Sequence, residues 1–249
     1  MFEGAGQITD VYLDDKHIHT HVAGYNEWKV DLTKYLDKAS KTYTLSIRCD
    51  NSRNLEIIPS DLSDFNIYGG LYRNVNLNYE PNIYIEKLQI TPIYDDINNG
   101  GVVTIIGEFN KVSSNLIVSI TSYEDNEKII FDEKEFSSNK RFKIDIDIDF
   151  DSVKAWSPDS PSLYKCKIKW VVNGETAFIE DSFGFRNFKF EKHGSFYLNG
   201  KRLLLKGTHR HEDHEGVGAA QNSESIEKEM HLIKEMGANF ICLAHYQQS

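Results

Sequence analysis

The sequence predicts a mainly β chain of several domains that ends in one βαβ unit. Short runs of alternating apolar and polar residues occur in residues 1–81, and seven further runs follow at regular spacing in residues 82–185. From residue 186 to 249 a short apolar run, a helical stripe and a second apolar run succeed one another. Alternation is typical of half-buried strands, whereas strand–helix–strand order is typical of a parallel pair. We therefore expect three domains within these bounds.

The first domain is predicted to be all β. Its runs lie at residues 8–13, 17–22, 45–48 and 71–77. The dipeptide Asp14-Asp15 is a turn signal that separates the first two runs. His17, His19 and His21 alternate along the second run, so we expect all three on one strand face. A zinc or nickel site is one interpretation of this triplet, and a solvated strand face is the favoured one.

The middle domain is predicted to be an immunoglobulin-like sandwich. Seven short runs with turn signals between them are typical of this architecture. The runs lie at residues 83–94, 102–109, 116–123, 128–136, 141–150, 163–172 and 176–183. No chemistry-bearing motif occurs among them, so the domain is interpreted as a scaffold.

The last segment is predicted to place two histidines at one sheet edge. Residues 203–205 form a candidate buried strand, and residues 240–244 form a second one that ends at His245. A helix is expected between them from Ser223, its N-cap, to a C′ glycine at Gly237. Because the carboxyl ends of parallel strands share one edge, His211 and His245 should meet there, where α/β proteins bind ligands.

Composition limits the classes of partner and compartment. A net charge of −10 disfavours nucleic acid and anionic membranes as partners. No stretch approaches the roughly 18 apolar residues that a membrane span needs. Cys49, Cys166 and Cys242 form no disulfide or metal pattern, which fits a reducing compartment or a protein indifferent to oxidation. The start carries no signal-peptide pattern, so a cytoplasmic location is favoured, and a periplasmic or secreted one stays open if the natural start lies upstream.

Five collinear stretches resemble glycoside hydrolase family 2. They are Val11-Tyr-Leu-Asp-Asp15 with Gly24-Tyr25 and Val30-Asp-Leu-Thr33; Tyr68-Gly-Gly-Leu-Tyr-Arg-Asn-Val75; Trp156-Ser-Pro-Asp-Ser-Pro-Ser-Leu-Tyr164; Phe183-Gly-Phe-Arg186 with Phe196-Tyr-Leu-Asn-Gly-Lys201; and Lys206-Gly-Thr-His-Arg-His-Glu-Asp213 with Ala244-His-Tyr246. The resemblance implies a partial jelly-roll sugar-binding domain, the sandwich, and the first βαβ unit of a (β/α)8 TIM barrel.

The resemblance also implies a retaining β-glycosidase with two glutamates about 5 Å apart. Those glutamates are expected beyond Ser249, and the jelly roll is expected to begin upstream, so the chain is interpreted as a fragment that is inactive alone. Its loop 209–220 looks more like β-galactosidases than β-glucuronidases, which suggests hydrolysis of terminal β-linked sugars or oligosaccharides in carbohydrate catabolism. The alternative is a non-catalytic carbohydrate-binding or complementing module, or an inactive remnant.

Three residues are implied to bind sugar by their positions in the family motifs. They are His211 of Arg-His-Glu, His245 of Ala-His-Tyr, and Asp64, which stands nine residues before Arg73. Imidazole suits this role because it can both donate and accept hydrogen bonds. The alternatives are histidines satisfied inside the barrel rim and an aspartate that caps a turn. Glu212 and Asp213 are adjacent and should point apart, so they are not a catalytic pair.

The chain departs from the family pattern at three positions. His209 stands in place of asparagine, Cys242 in place of arginine and Gln247 in place of proline, which puts the competence of the parent enzyme in doubt. His209, His211 and His214 could also chelate zinc, although the resemblance explains them without a metal. No cofactor is assigned to this chain; a longer parent protein could hold magnesium or sodium elsewhere and could form a homo-oligomer.

Overall fold

The computed structural model describes residues 1–37, 42–58, 63–97, 100–112, 115–123, 128–149 and 153–248. Among these described residues the fold is mainly β, with 46% strand and 7% helix, as the alternating pattern predicts. The chain forms two compact units. One unit is Tyr79–Leu205, and the other joins Met1–Asn78 to Lys206–Ser249.

The unit of residues 79–205 contains the predicted sandwich. All seven predicted strands are present, as β4 Ile85–Asp95, β5 Gly100–Phe109, β6 Asn115–Ser122, β7 Ile129–Ser137, β8 Arg141–Ile148, β9 Tyr164–Val172 and β10 Glu175–Phe183. Strands β10-β9-β6-β7 form one antiparallel sheet, and β4-β5-β8 form the other. The last residue of the predicted run 141–150 lies outside the described residues.

The sandwich core consists of the inward-facing residues of both sheets. β8 alternates strictly between exposed and buried positions, so its isoleucines face the core and its charged residues face water. Phe109 and Phe185 are fully buried. Gly101 gives the ring of Phe185 its space, because a Cβ atom on residue 101 would lie 2.5 Å from Phe185 Cε1.

Cys166 of β9 is fully buried in this core. Burial raises the pKa of its thiol to about 12, so the reactive thiolate is scarce at pH 8. We expect the native chain to expose only Cys49 and Cys242, which are partly accessible, to a thiol reagent. Mass-spectrometric mapping after brief labelling with Ellman's reagent checks this. Labelling of Cys166 at the rate of Cys242 would contradict it, and full labelling in guanidinium is the control.

A small antiparallel sheet follows the sandwich in the same unit. Its strands are β11 Phe188–Phe190, β12 Phe196–Leu198 and β13 Lys201–Arg202. Asn199 and Gly200 join β12 to β13 with φ of +51° and +72°. Two consecutive positive φ angles are the mark of a type I′ hairpin turn, which the Asn-Gly dipeptide predicts.

In the other unit, β1 Ile8–Leu13 lies between β2 Lys16–Val22 and β3 Leu45–Asp50 in an antiparallel sheet. The predicted strand at residues 71–77 is wrong. Val75 makes only an isolated bridge to Phe2. The segment instead bonds to the amino terminus, where Asn76 N donates to Met1 O at 2.9 Å.

The prediction that three histidines share one face of β2 is also wrong. His19 pairs with Val11 and His17 with Tyr12, so Ile18 has no partner and forms a bulge. A bulge of one residue reverses the alternation of side chains. The rings of His19 and His21 lie against Trp28, at centroid distances of 5.6 Å and 4.6 Å.

His17 lies apart from the other two histidines. Its Nε2 is 2.9 Å from Thr20 Oγ1 and 3.4 Å from Asp10 Oδ1. The β2 histidines therefore do not converge as metal ligands would, and the solvated-face interpretation fits only His17.

The βαβ unit is present with shifted bounds. β14 Gly207–Arg210 pairs in parallel with β15 Phe240–Leu243, and α1 Ser223–Glu235 lies between them in sequence. The predicted strand at 203–205 is wrong, because Leu204 is 66% exposed and Gly207, expected to end the strand, begins it. The absence of a side chain at Gly207 admits the ring of Phe240, which lies 2.7 Å from a Cβ built there.

The helix bounds also correct one prediction. Asn222, not Ser223, is the N-cap, because Asn222 Oδ1 accepts from Ser225 N in a capping box with Ser225 Oγ. Gly237 follows the helix with φ of +86°, as the predicted C′ residue requires. No helix in the described part of the chain is long and apolar enough to cross a membrane.

Candidate functional site

The two histidines at the ends of the parallel strands lie side by side. His211 directly follows β14, and His245 lies two residues after β15. Their ring centroids are 5.5 Å apart. The expectation that parallel pairing brings them to one edge is therefore confirmed.

Phe65, on a loop of the segment Met1–Asn78 (the first segment), lies against both histidines. Its ring centroid is 5.3 Å from that of His211 and 6.3 Å from that of His245. Tyr246 completes the group, at 5.2 Å from Phe65. An apolar ring beside two imidazoles gives the site both a flat face and polar atoms.

A cavity of about 560 Å³ opens at this group. Its volume falls within the range of about 300–1,000 Å³ that is usual for small-molecule sites. The cavity is lined by Ser63, Asp64, Phe65, Asn66, His211 and Asp213. Two predicted site residues, Asp64 and His211, thus share its wall, whereas His245 lies behind, against His211 and Phe65.

Asp213 is held at the cavity wall by two side chains of the first segment. Tyr68 Oη donates to Asp213 Oδ1 at 2.7 Å, and Asn66 Nδ2 donates to Oδ2 at 3.3 Å. The hydrogen bond to Asp213 raises the pKa of the Tyr68 hydroxyl. Tyr68 therefore stays protonated and keeps Asp213 oriented.

Glu212 points away from Asp213, as adjacent residues on extended chain should. Its side chain is buried and accepts a hydrogen bond from Arg73 Nη2 on Oε2 at 2.5 Å. Arg210 Nη1 lies 3.7 Å from the other carboxylate oxygen. Glu212 thus has two cationic neighbours and does not face the cavity wall lined by Asp213.

Arg210 fixes the end of β14 to its surroundings. Its Nε donates to Glu229 Oε2 of α1 at 2.9 Å, and its Nη1 donates to Gln248 Oε1 at 2.6 Å. Gln248 Nε2 donates back to Arg210 O at 2.6 Å. Strand, helix and the segment after β15 are therefore joined by one buried guanidinium.

Three tyrosines pack around the Arg73–Glu212 pair. The rings of Tyr25 and Tyr246 stack with centroids 4.0 Å apart, and Tyr72 Oη donates to Gly24 O at 2.5 Å. Burial raises the pKa of Tyr25 to about 12 and also raises the pKa values of Tyr72 and Tyr246. All three hydroxyls are neutral at physiological pH, and those of Tyr72 and Tyr246 form hydrogen bonds with Gly24 O and Glu212 N.

The three histidines of the 209–214 stretch do not form a metal centre. His209 is exposed, and His214 Nδ1 lies 3.1 Å from Glu215 O. Across the described ranges, no group of three or more His, Cys, Asp or Glu side chains is arranged to hold a metal ion. Cys242 is half-buried and is the register partner of His209.

Two family models match consecutive parts of the chain. Residues 83–186 match the model described as glycosyl hydrolases family 2, and residues 189–249 match the TIM barrel domain of glycosyl hydrolases family 2. The chain belongs to glycosyl hydrolase family 2. The resemblance drawn from the five motifs is thus confirmed.

Relatives with both β-glucuronidase and β-galactosidase names align along this family 2 chain. The apo structure of Bacteroides uniformis β-glucuronidase 3 is 44% identical with a TM-score of 0.90, over 100% of this chain and 32% of that one. A putative β-glucuronidase of Formosa agariphila is 38% identical over 99% of this chain and 30% of its own length. A β-galactosidase of Thermoanaerobacterium thermosulfurigenes is 28% identical, over 100% of this chain and 36% of its own length. The chain spans about a third of these relatives.

These identities do not support the preference for β-galactosidases drawn from loop 209–220. The two relatives at 44% and 38% identity are named β-glucuronidases, and the named β-galactosidase is at 28%. The loop contributes His211 and Asp213 to the cavity, and the other lining residues come from residues 63–66.

Sequence reasoning missed part of the site of this family 2 chain. Phe65, Asn66 and Tyr68 were not singled out as site residues, although all three follow Asp64 within four positions of the sequence. The pairing of Arg73 with Glu212 was also missed. The sequence feature that could have indicated this pair is that one family motif contains an arginine and another contains a glutamate, which carry opposite charges.

Proposed function

We propose that this chain forms the sugar-binding part of a family 2 β-glycosidase, and that the bound sugar is a terminal β-linked glucuronic acid. The observation that carries the proposal is the cavity in which Asp64 and His211 face one space beside the ring of Phe65. A sugar needs this combination, because it has hydroxyls at its rim and C–H groups on its faces.

Each cavity residue has a role in this proposal. The Asp64 carboxylate accepts hydrogen bonds from sugar hydroxyls, since an ionised carboxylate only accepts. His211 donates to or accepts from a neighbouring hydroxyl, and Phe65 packs against a sugar face. His245, in contact with both His211 and Phe65, supports this wall and supplies a further polar group.

Binding, rather than bond cleavage, is the role proposed for these residues. Retaining hydrolysis uses two carboxyl groups about 5 Å apart, one of which must be free to attack the sugar. Glu212 is buried against Arg73, and Asp213 is engaged by Tyr68 and Asn66. In this proposal Glu212 and Asp213 are therefore not the pair of carboxyl groups that breaks the glycosidic bond.

A β-galactoside is the second candidate. Asp64 and Asp213 both line the cavity, and a sugar carboxylate close to them would meet like charges. A neutral sugar avoids this repulsion. In the glucuronide proposal, the sugar carboxylate must point away from these two aspartates, and the β-glucuronidase names of the relatives at 44% and 38% identity favour it.

The test compares two sugars on the same samples. Methyl β-D-glucuronide and methyl β-D-galactoside are titrated into the 249-residue chain, and the 4-nitrophenyl glycosides of both sugars are offered to the chain and to a longer polypeptide that carries the complete barrel. We expect saturable binding of the glucuronide, no turnover by the chain, and glucuronide hydrolysis by the longer protein. Preference for the galactoside would favour the second candidate, and binding of neither sugar would contradict both.

A further inference from the structure

Arg73 connects the two segments that carry the candidate sugar-binding histidines. From this connection, and on the basis of the proposed sugar-binding function, we infer that Arg73 and Glu212 are positioning residues for His211 and His245. Neither residue lines the cavity, so both act through the backbone next to the histidines.

One guanidinium group makes the connection. Arg73 Nη2 donates to Glu212 Oε2 at 2.5 Å and to Gln247 O at 2.6 Å. Glu212 directly follows His211, and Gln247 lies two residues after His245. The same nitrogen therefore holds the chain beside both histidines.

The other side of the guanidinium is anchored in the first segment. Arg73 Nη1 donates to Tyr25 O at 2.6 Å and to Glu3 O at 3.1 Å. A planar guanidinium directs its N–H groups along fixed lines, so its four acceptors constrain one another. Lysine, a single point charge on a flexible stem, cannot reproduce this set.

The burial of the Arg73–Glu212 pair indicates that the pair has a role other than stability. The side chains of Arg73 and Glu212 are 5% and 4% exposed. Desolvation of two buried charges offsets much of their attraction, and apolar replacements of such pairs are often neutral or stabilising. What an apolar pair cannot supply is a defined distance between the Glu212 and Gln247 segments.

The ring of His211 depends on this arrangement. Its Nδ1 is buried and has no hydrogen-bond partner among the described residues. No hydrogen bond at that nitrogen orients the ring, which is held by its backbone and by contacts with Phe65, His245 and Tyr246. Tyr246 is itself fixed, because Glu212 N donates to Tyr246 Oη at 2.9 Å.

The experiment uses Arg73→Lys, which keeps a positive charge beside Glu212, and the double variant Arg73→Met/Glu212→Met, which removes both buried charges. Arg48→Lys is the matched control, since Arg48 also pairs with carboxylates in the first segment but is 64% exposed. Three quantities are measured for each variant. They are the affinity for methyl β-D-glucuronide and methyl β-D-galactoside, the imidazole NMR signals of His211 and His245, and the circular dichroism.

We expect Arg73→Lys to keep the native circular dichroism, to weaken binding of the preferred sugar at least tenfold and to shift both histidine signals. Arg48→Lys should change neither quantity. The single variants Arg73→Met and Glu212→Met are measured alongside, and the double variant should lose no more affinity than the worse of these two, because both residues act through one contact.

Three results would overturn the inference. They are unchanged affinity and histidine signals in Arg73→Lys, weakened affinity with unmoved histidine signals, and loss of folding in both test variants, which would assign the pair to stability. Failure of the proposed function is distinguishable, because the wild-type chain would then bind neither sugar while the histidine signals would still report the effect of Arg73.

Discussion

Substitution of His211 by alanine is expected to weaken sugar binding by about 2- to 12-fold. The imidazole lines the cavity together with Asp64, and because its Nδ1 is buried, only Nε2 is free to make a hydrogen bond to a sugar hydroxyl. Each such bond contributes about 0.5–1.5 kcal/mol, and a tenfold change in affinity corresponds to about 1.4 kcal/mol. Isothermal titration with the preferred methyl β-glycoside measures the change directly.

His231→Ala is the matched control for this substitution. His231 lies on α1 of the same unit, is 76% exposed and is not among the cavity residues. Its replacement should leave sugar affinity unchanged. Equal losses in the two variants, or an unchanged affinity in His211→Ala, would remove His211 from the proposed binding site.

Phe185→Ala is expected to destabilise the sandwich unit by about 3–5 kcal/mol. The ring is fully buried and packs edge-on against Tyr164 and Phe183, at centroid distances of 5.0 Å and 5.2 Å. Its removal loses transfer free energy and leaves a cavity beside Gly101 that the bare backbone cannot fill. Urea unfolding of the chain, followed by tryptophan fluorescence, measures the change in midpoint and slope.

Phe178→Ala, in the same unit, provides the comparison. Phe178 on β10 is 57% exposed and meets Lys167 across its ring at 4.2 Å. Its loss should cost no more than about 1 kcal/mol, the usual value of an exposed cation–π contact. Similar losses of unfolding free energy in the two variants would contradict the prediction and would show that Phe185 is packed less tightly than its burial indicates.

Patterns of short range in the sequence predicted the sandwich and the parallel pair well. In β8, every second residue from Phe142 to Ile148 is apolar, and a strand with one buried face leaves that signature. The meeting of His211 and His245 followed from topology alone, because a strand–helix–strand unit fixes which strand ends are neighbours.

Features that depend on distant or geometric details could not be predicted in the same way. The bulge at Ile18 places His17 on a different strand face from His19 and His21, and no residue pattern in β2 predicts this bulge. The strand β14 begins at Gly207, whose register partner and close neighbour is Phe240 on another strand. The Arg73–Glu212 pair joins residues 139 positions apart, and a single sequence offers no measure of their proximity.

That separation sets an order of events during synthesis. The contact of Arg73 with Glu212 cannot form until residue 212 has been synthesised, and its contact with Gln247 requires residue 247. The whole sandwich lies between residues 73 and 212 in the sequence. At a synthesis rate of about 5–20 residues per second, about 7–30 s therefore pass between the synthesis of Arg73 and that of Glu212. During that interval the continuous sandwich unit can fold alone, while Arg73, Tyr25 and Tyr72 lack the partners that the last segment supplies.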